Sequence, residues 1–276
     1  MLDIYRLILR RKPFKGQFRL FAWLYNHKKL KQKSQVVSPI FGSFKVYTNT
    51  KNYIDANIYY LGDYEPWLKK HFKTLITKGA NILDVGANIG FHSLYFAELA
   101  GAKGHVISVE PIPQNFEALE KNIALNSFSN ITTVQKALAS EERLIEIGID
   151  INNQNPGAFS LFNNGEKKLK IACTTGDMLL NKLGIRKIDF IKIDVEGFEL
   201  EVLKGLSKTI EKDRPVIVFE FDRNYQLRKD EVPNEIFLML SSYNYVFEAV
   251  DGYGKKRPFV YSDQILSAEI IARVKS

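Results

Sequence analysis

The chain has 276 residues, 45% hydrophobic and 25% charged, an ordinary globular composition long enough to bury a sizeable core. No stretch reaches the roughly 18 apolar residues needed to cross a bilayer, and the single cysteine, Cys173, excludes an intramolecular disulfide framework and a cysteine-based zinc motif. The net charge of +8 is unevenly spread: residues 1–35 carry ten Lys and Arg against Asp3, a local +9 that leaves the remainder at −1.

In chain order, the basic opening holds two apolar bursts, around Ile4, Leu7 and Ile8 and around Phe18, Phe21, Trp23 and Leu24, separated by Pro13 and Gly16. This pattern predicts two amphipathic helices. They fit either a helical arm packed on the main body or peripheral contact with an anionic membrane. The apolar run Leu7–Leu9 is too short for a signal peptide and no small-residue cleavage site follows; the lone cysteine leads us to expect a reducing, cytoplasmic setting.

"FGSFKVYTNTKNYID" predicts a short hairpin turning near Asn49, and "YEPWLKKHFKTLITKG" a helix stopping at Gly79. From residue 80 strands and helices alternate: "NILDVGA", "FHSLYFAELA", "GHVISVEP", "QNFEALEKNIALN", "ITTVQKALA", "RLIEIGID", "GDMLLNKLG", "DFIKIDV", "FELEVLKGLSKTIEKD" and "PVIVFEF". A helix, "PNEIFLMLSSYN", and a hairpin, "YVFEAV" and "RPFVYS" around "DGYG", complete the chain. The alternation implies an α/β fold with a doubly wound, mostly parallel sheet. Its expected divisions are a basic helical arm (1–35), a hairpin and helix (36–79), a ligand-binding core (80–222) and a C-terminal helix and hairpin (223–276).

Ligands of such sheets sit beyond the C-terminal strand ends. There the first strand runs into Asp84, Gly86, Asn88 and Gly90, a tighter turn than a dinucleotide-binding G-x-G-x-x-G, with Asn88 able to replace glycine at a left-handed bend. The second strand ends at Glu110, placed to accept hydrogen bonds from a ribose diol. Together they point to a nucleoside-containing ligand.

"ILDVGANIGFHSL", "VEPIPQNFEALEKNIALN", "NPGAFSLF", "TTGDML", "IDFIKIDVEGFELEVLKGL" and "RPVIVFEF", in this order, resemble the FkbM-type S-adenosylmethionine-dependent methyltransferases, from about Tyr64 to about Phe221. The resemblance implies a class I Rossmann-like methyltransferase core and O-methylation of sugars, glycans or polyketides. It places Asp84, Gly86, Asn88 and Gly90 under the amino-acid portion of S-adenosylmethionine, Glu110 on the ribose hydroxyls, and Lys136 and Ala137 beside adenine. The basic arm lies outside it, and His92 stands where the family often has an aromatic residue.

Period-two alternation puts Lys192, Asp194 and, if the strand extends that far, Glu196 on one face of an otherwise apolar strand. Buried charge is costly unless paired, so Lys192 is expected to bridge Asp194 and Glu196, with Glu220 of the neighbouring strand joining them. Transfer to a hydroxyl gains from a base within reach. Asp194 and Glu196 are the first candidates, one as base and one as orienter, and His92 is the second. A divalent metal held by Asp194, Glu196, Glu220, Asp222 and His92 is a competing but less favoured account, and a structural Lys–carboxylate network is a third. Tyr64, Glu65, Asn155 and Ser160 are candidates for acceptor recognition. A nucleic-acid methyltransferase fits poorly, because the body is near neutral and "DVEG" stands where base methylation commonly uses Asp/Asn-Pro-Pro-aromatic. The remaining reading is a non-catalytic cofactor-binding module, and a metal ligand is assigned to no residue.

Overall fold

The computed structural model describes residues 3–10, 14–149, 167–227 and 232–275. Two helices, α1 (Ile4–Leu9) and α2 (Gln17–Asn26), open the chain. Asp3 caps α1 by accepting from the Arg6 N–H. Strands β1 (Ser34–Val37) and β2 (Val46–Asn49) pair antiparallel. The hairpin connection is therefore 38–45, not a turn near Asn49 as the sequence suggests. Asn49 instead leads into helix α3 (Tyr53–Ala56), continued by a π-helical turn at Asn57–Leu61. The cause is local: the Asp55 carboxylate accepts from the Asn49 N–H at 3.0 Å and from the Asn52 side chain at 3.2 Å, which drives this polar segment into a helix start. Helix α4 (Pro66–Leu75) follows, with proline in its first turn.

Strand and helix then alternate as β3 (Asn81–Val85), α5 (Phe91–Ala100), β4 (His105–Val109), α6 (Pro113–Ala124) and β5 (Ile131–Val134). Strands β6 (Ala137–Leu138), β7 (Arg143–Ile149) and β8 (Lys167–Thr174) form a separate sheet in the order β6-β8-β7. Alternation resumes with α7 (Gly176–Lys182), β9 (Phe190–Ile193), α8 (Glu199–Gly205), α9 (Ser207–Asp213) and β10 (Val216–Asp222). The end comprises α10 (Arg223–Leu227), α11 (Glu235–Ser242), β11 (Tyr245–Val250), β12 (Lys256–Phe259) and β13 (Ser267–Val274).

The main sheet has the order β12-β11-β13-β10-β9-β3-β4-β5. Its five strands from β10 to β5 are mutually parallel, and β13, β11 and β12 extend it antiparallel. The doubly wound α/β class expected from the alternation is what forms. Strand β13, which the sequence reading missed, inserts between β10 and the terminal hairpin. The stretch expected as one helix over 198–213 is two, α8 ending at Gly205, where a Cβ would lie 2.1 Å from the carbonyl oxygen of Ala139, just after β6.

Period-two alternation divides the sheet cleanly. Leu83, Val85, Ile191, Ile193, Ile217 and Phe219 face one core, with α7, α8, α9 and α11. Ile82, Phe190, Val218 and Ile271 face the other, with α5 and the N-terminal segments. On that second face Phe96 is fully buried, its ring meeting Phe72, His92 and Phe190 at centroid distances of 5.0, 5.9 and 5.6 Å. Phe96→Ala should cost about 3–5 kcal/mol of unfolding free energy by urea titration, through cavity formation under β9.

Candidate functional site

The strand order reverses between β3 and β9, and a cleft of about 340 Å³ opens there at the C-terminal strand ends. On the β4 side it is bounded by the turn after β3 and by Glu110. Gly86 has φ +81, and a Cβ on it would sit 1.9 Å from the Asp194 carbonyl oxygen, so only glycine lets these two strand tips meet. Asn88 has φ 51 and Gly90 φ 83, turning the chain sharply into α5. The Glu110 carboxylate accepts from the Asn88 N–H at 2.8 Å and from the Ile112 N–H at 2.9 Å. Burial pushes Glu110 up to about 7 despite these bonds.

The sheet side of the cleft is strongly acidic. Asp84, Lys192 and Glu220 line it, and with Glu269 just beyond they continue the parity of Ile82, Phe190, Val218 and Ile271, so all four share one sheet face at its C-terminal edge. Asp84 and Lys192 are register partners, as are Glu220 and Glu269. The buried Lys192 ammonium binds Asp194 at 2.8 Å. Burial alone would lower the lysine and raise the aspartate, but their mutual attraction reverses both directions, helped for Lys192 by the Asp84 carboxylate. Asp84 itself is raised by burial, although Lys192 and a 2.6 Å bond from the Ser93 hydroxyl oppose the rise. Burial, then the carboxylates of Asp194 and Glu196, pushes Glu220 up to about 8. Burial, then Glu65 and Glu220, raises Glu269 well above the ordinary carboxylate value.

Glu196 differs from its sequence reading. Strand β9 ends at Ile193, and Glu196 has φ 52, so strand alternation no longer aims it at Lys192. Its carboxylate accepts instead from the Tyr225 hydroxyl at 2.9 Å, and burial raises it above its ordinary value. His92 Nε2 lies 3.0 Å from Glu65 Oε2, and its ring stacks on Phe96. Glu65, Asn88 and Glu196 are non-glycine residues in the left-handed region, each costing on the order of 1 kcal/mol, and all three line the cleft.

The fold thus gathers most of the sequence-derived candidates around one cleft: Tyr64, Glu65, Asp84, Gly86, Asn88, His92, Glu110, Lys136, Ala137, Lys192, Asp194, Glu196 and Glu220 all line it. Gly90 sits just behind, at the start of α5. Lys136 and Ala137 reach the cleft without ending β5, which stops at Val134. Asp222 does not line the cleft; it caps α10, accepting from the Asn224 N–H at 2.8 Å, and its charge adds to the rise of Glu196. Among the described residues, no group of three His, Cys, Asp or Glu side chains is arranged to hold a metal ion. Asn155 and Ser160 lie outside the described residues. Sequence reasoning missed Tyr225 and Glu269. The apolar run Ile270–Ala272 signalled a strand that would have carried Glu269 to the sheet.

Because the folded chain keeps Glu220 protonated up to about pH 8, whereas the unfolded chain ionises it near 4.5, stability should fall as pH rises from 5 to 8. Glu220→Gln should reduce that fall by about 1–2 kcal/mol, measured as urea midpoints at the two pH values.

Residues 84–247, more than half of the chain, match the family model of the methyltransferase FkbM domain. The chain belongs to that family. It is 30% identical over 135 residues to the hexuronic acid methyltransferase AglP of Haloferax volcanii, covering 49% of this chain and 53% of AglP. It is 30% identical over 159 residues to the methyltransferase sdnD of Sordaria araneosa, covering 46% and 60%. The chain therefore matches little more than half the length of these curated relatives. The solved methyltransferase FkbM from Methylobacillus flagellatus aligns with 78% of this chain and 52% of its own at 17% identity and a TM-score of 0.45, too low to carry an inference.

Proposed function

We propose that this member of the methyltransferase FkbM family is an S-adenosylmethionine-dependent O-methyltransferase acting on a hydroxyl of a sugar, glycan or related natural product. One observation carries the reading. The glycine-bearing turn after β3 and the carboxylate ending β4 open onto the same cleft as the acids of β9 and β10. The cleft volume lies within the range of roughly 300–1,000 Å³ for small-molecule sites. The donor set suits the cofactor: Glu110 for the ribose diol, the Gly86–Gly90 turn for the amino-acid portion, and backbone around Lys136 and Ala137 beside adenine.

When bound, S-adenosylmethionine supplies an already activated methyl group. The chain's own part is to hold the acceptor in line and take its proton. Glu196 is the better base of the two first candidates. Lys192 holds the Asp194 carboxyl low, whereas burial lifts Glu196 towards the working pH and Tyr225 fixes its position. Asp194, locked by Lys192, orients the acceptor. Glu65, Tyr64 and Glu220 accept or share hydrogen bonds with its remaining hydroxyls, and His92 holds Glu65 in place. The likeness to a hexuronic acid methyltransferase supports a carbohydrate acceptor. We extend the proposal to a lipid-linked acceptor met from the cytoplasmic side, with residues 1–35 in peripheral membrane contact.

Calorimetric titration with S-adenosylhomocysteine, with NAD as control, tests the cofactor reading; saturable binding of the first alone is the expected result. Affinity should rise by up to about tenfold per pH unit below 7 and level off above it, because the ionised Glu110 is the better acceptor for ribose hydroxyls. Glu110→Ala should weaken binding about 10–100-fold and remove that pH dependence. Glu196→Gln should lower kcat at least about 100-fold with S-adenosylhomocysteine affinity within about twofold. Full turnover in that variant would remove Glu196 as the base.

A further inference from the structure

The N-terminal arm is docked on one side and bare on the other. Leu9, Phe21 and Leu24 are buried. The Gln17 side chain donates to the Leu9 carbonyl at 2.6 Å, Arg6 donates to the Tyr59 carbonyl at 3.2 Å, and Arg10 donates to the Ser38 carbonyl at 2.6 Å. Tyr60 adds a bond to Asp3 at 3.0 Å. These contacts tie α1 to Ser38, Tyr59 and Tyr60 and tie α2 to α1. They leave their outer surfaces to display Ile4 at 65% exposure, Leu7 at 50% and Trp23 at 52%, with Ile8, Phe14 and Phe18 also exposed. Exposed Lys15, Arg19, Lys28 and Lys29 are interleaved with them. A soluble face rarely combines so many large apolar side chains with one sign of charge.

This surface runs towards the cleft. Phe21 and Tyr25 of α2 pack on Tyr53, which lines the cleft wall. Phe18 meets Trp67 edge-on at 5.5 Å, just after the cleft residues Tyr64 and Glu65. Gly254, in the turn of the β11–β12 hairpin, lies beside the Trp67 backbone, and its carbonyl oxygen is 2.9 Å from His71 Nε2. The adjoining tip residue, Tyr253, is 91% exposed. Helix α4 therefore has the arm and the hairpin tip as neighbours.

We propose that α1, α2 and the Tyr253 tip form one docking face for an anionic phospholipid bilayer, seating the apolar side chains at the headgroup boundary and the lysines and arginine against lipid charge. The charge complementarity selects this occupant: the outward Lys15, Arg19, Lys28 and Lys29 have no acidic residue among positions 4–35 to balance them, which suits a continuous anionic surface, and a second copy of this chain, −1 outside the arm, offers no matching excess of acid. No helix among the described residues is long and apolar enough to cross a membrane, so the contact is peripheral. Resting on the acceptor reading above, it puts the cleft where a lipid-carried sugar would arrive.

The test is co-sedimentation of the full chain with vesicles of phosphatidylcholine alone and with about one third phosphatidylserine. Binding to the anionic vesicles only, weakened by salt, is expected. Leu7→Ala with Trp23→Ala should lower that binding about tenfold or more, and Lys15→Glu with Lys28→Glu should abolish the preference for phosphatidylserine. These four side chains lie outside the cleft, so S-adenosylhomocysteine titration should be unchanged in both variants. Failure to sediment with either vesicle, or unaltered binding in both variants, overturns the proposal. So does a concentration-dependent dimer that Trp23→Ala dissolves, which would assign the face to a second copy. Vesicle binding without S-adenosylhomocysteine binding would sink the cofactor reading and leave the docking face standing.

Discussion

A lysine ammonium lies buried in the centre of the parallel sheet, and much of the surrounding geometry follows from the need to pair it. Lys192 stands opposite Asp84 in register and binds Asp194 at 2.8 Å. An uncompensated charge at such a position costs about 3–5 kcal/mol, so strand β9 is tolerated between β3 and β10 only with both acids in place. The close approach of Gly86 to the Asp194 backbone belongs to the same arrangement, as does the 2.9 Å bond from the Asp194 N–H to the Val85 carbonyl. The tips of β3 and β9 are thereby fixed to each other, and the cleft opens where they part.

That anchoring also sets apart the acids around it. Asp194 has the Lys192 ammonium at hydrogen-bond distance and stays low, while Glu196, Glu220 and Glu269 are raised by burial and by neighbouring carboxylates. Neighbouring carboxylates held at different protonation levels are what a site needs to accept one proton while donating hydrogen bonds elsewhere. The cost appears as stability lost at higher pH and as backbone strain at Glu65, Asn88 and Glu196. Both are local to the cleft, whereas the aromatic packing of Phe72, Phe96 and Phe190 beneath it is apolar and unstrained.

The N-terminal segments pack beside this chemistry. Phe21 and Tyr25 reach the cleft wall through Tyr53, and Phe18 packs on Trp67 of α4, so the arm is part of the same packed body as the site. A basic, aromatic outer surface on a rigid inner one orients a molecule, since only one face can meet a charged interface.

Much of this was written in the sequence at short range. The alternation of β3 to β5 and of β9 and β10 with their helices, the turn Asp84–Gly90, the acid at Glu110 and the charge pattern Lys192–Asp194 all follow from side-chain period and turn chemistry within a few residues. The +9 of residues 1–35 was equally plain. What the sequence left open depends on strand order and register, which join residues far apart in the chain. Only the tertiary structure sets Glu269 opposite Glu220 through β13, gives Glu196 to Tyr225 rather than to Lys192, and turns Phe21 and Leu24 inward while leaving Trp23 out. Local pattern specifies which face of an element is apolar; the partner that face meets is decided by how the whole sheet is assembled.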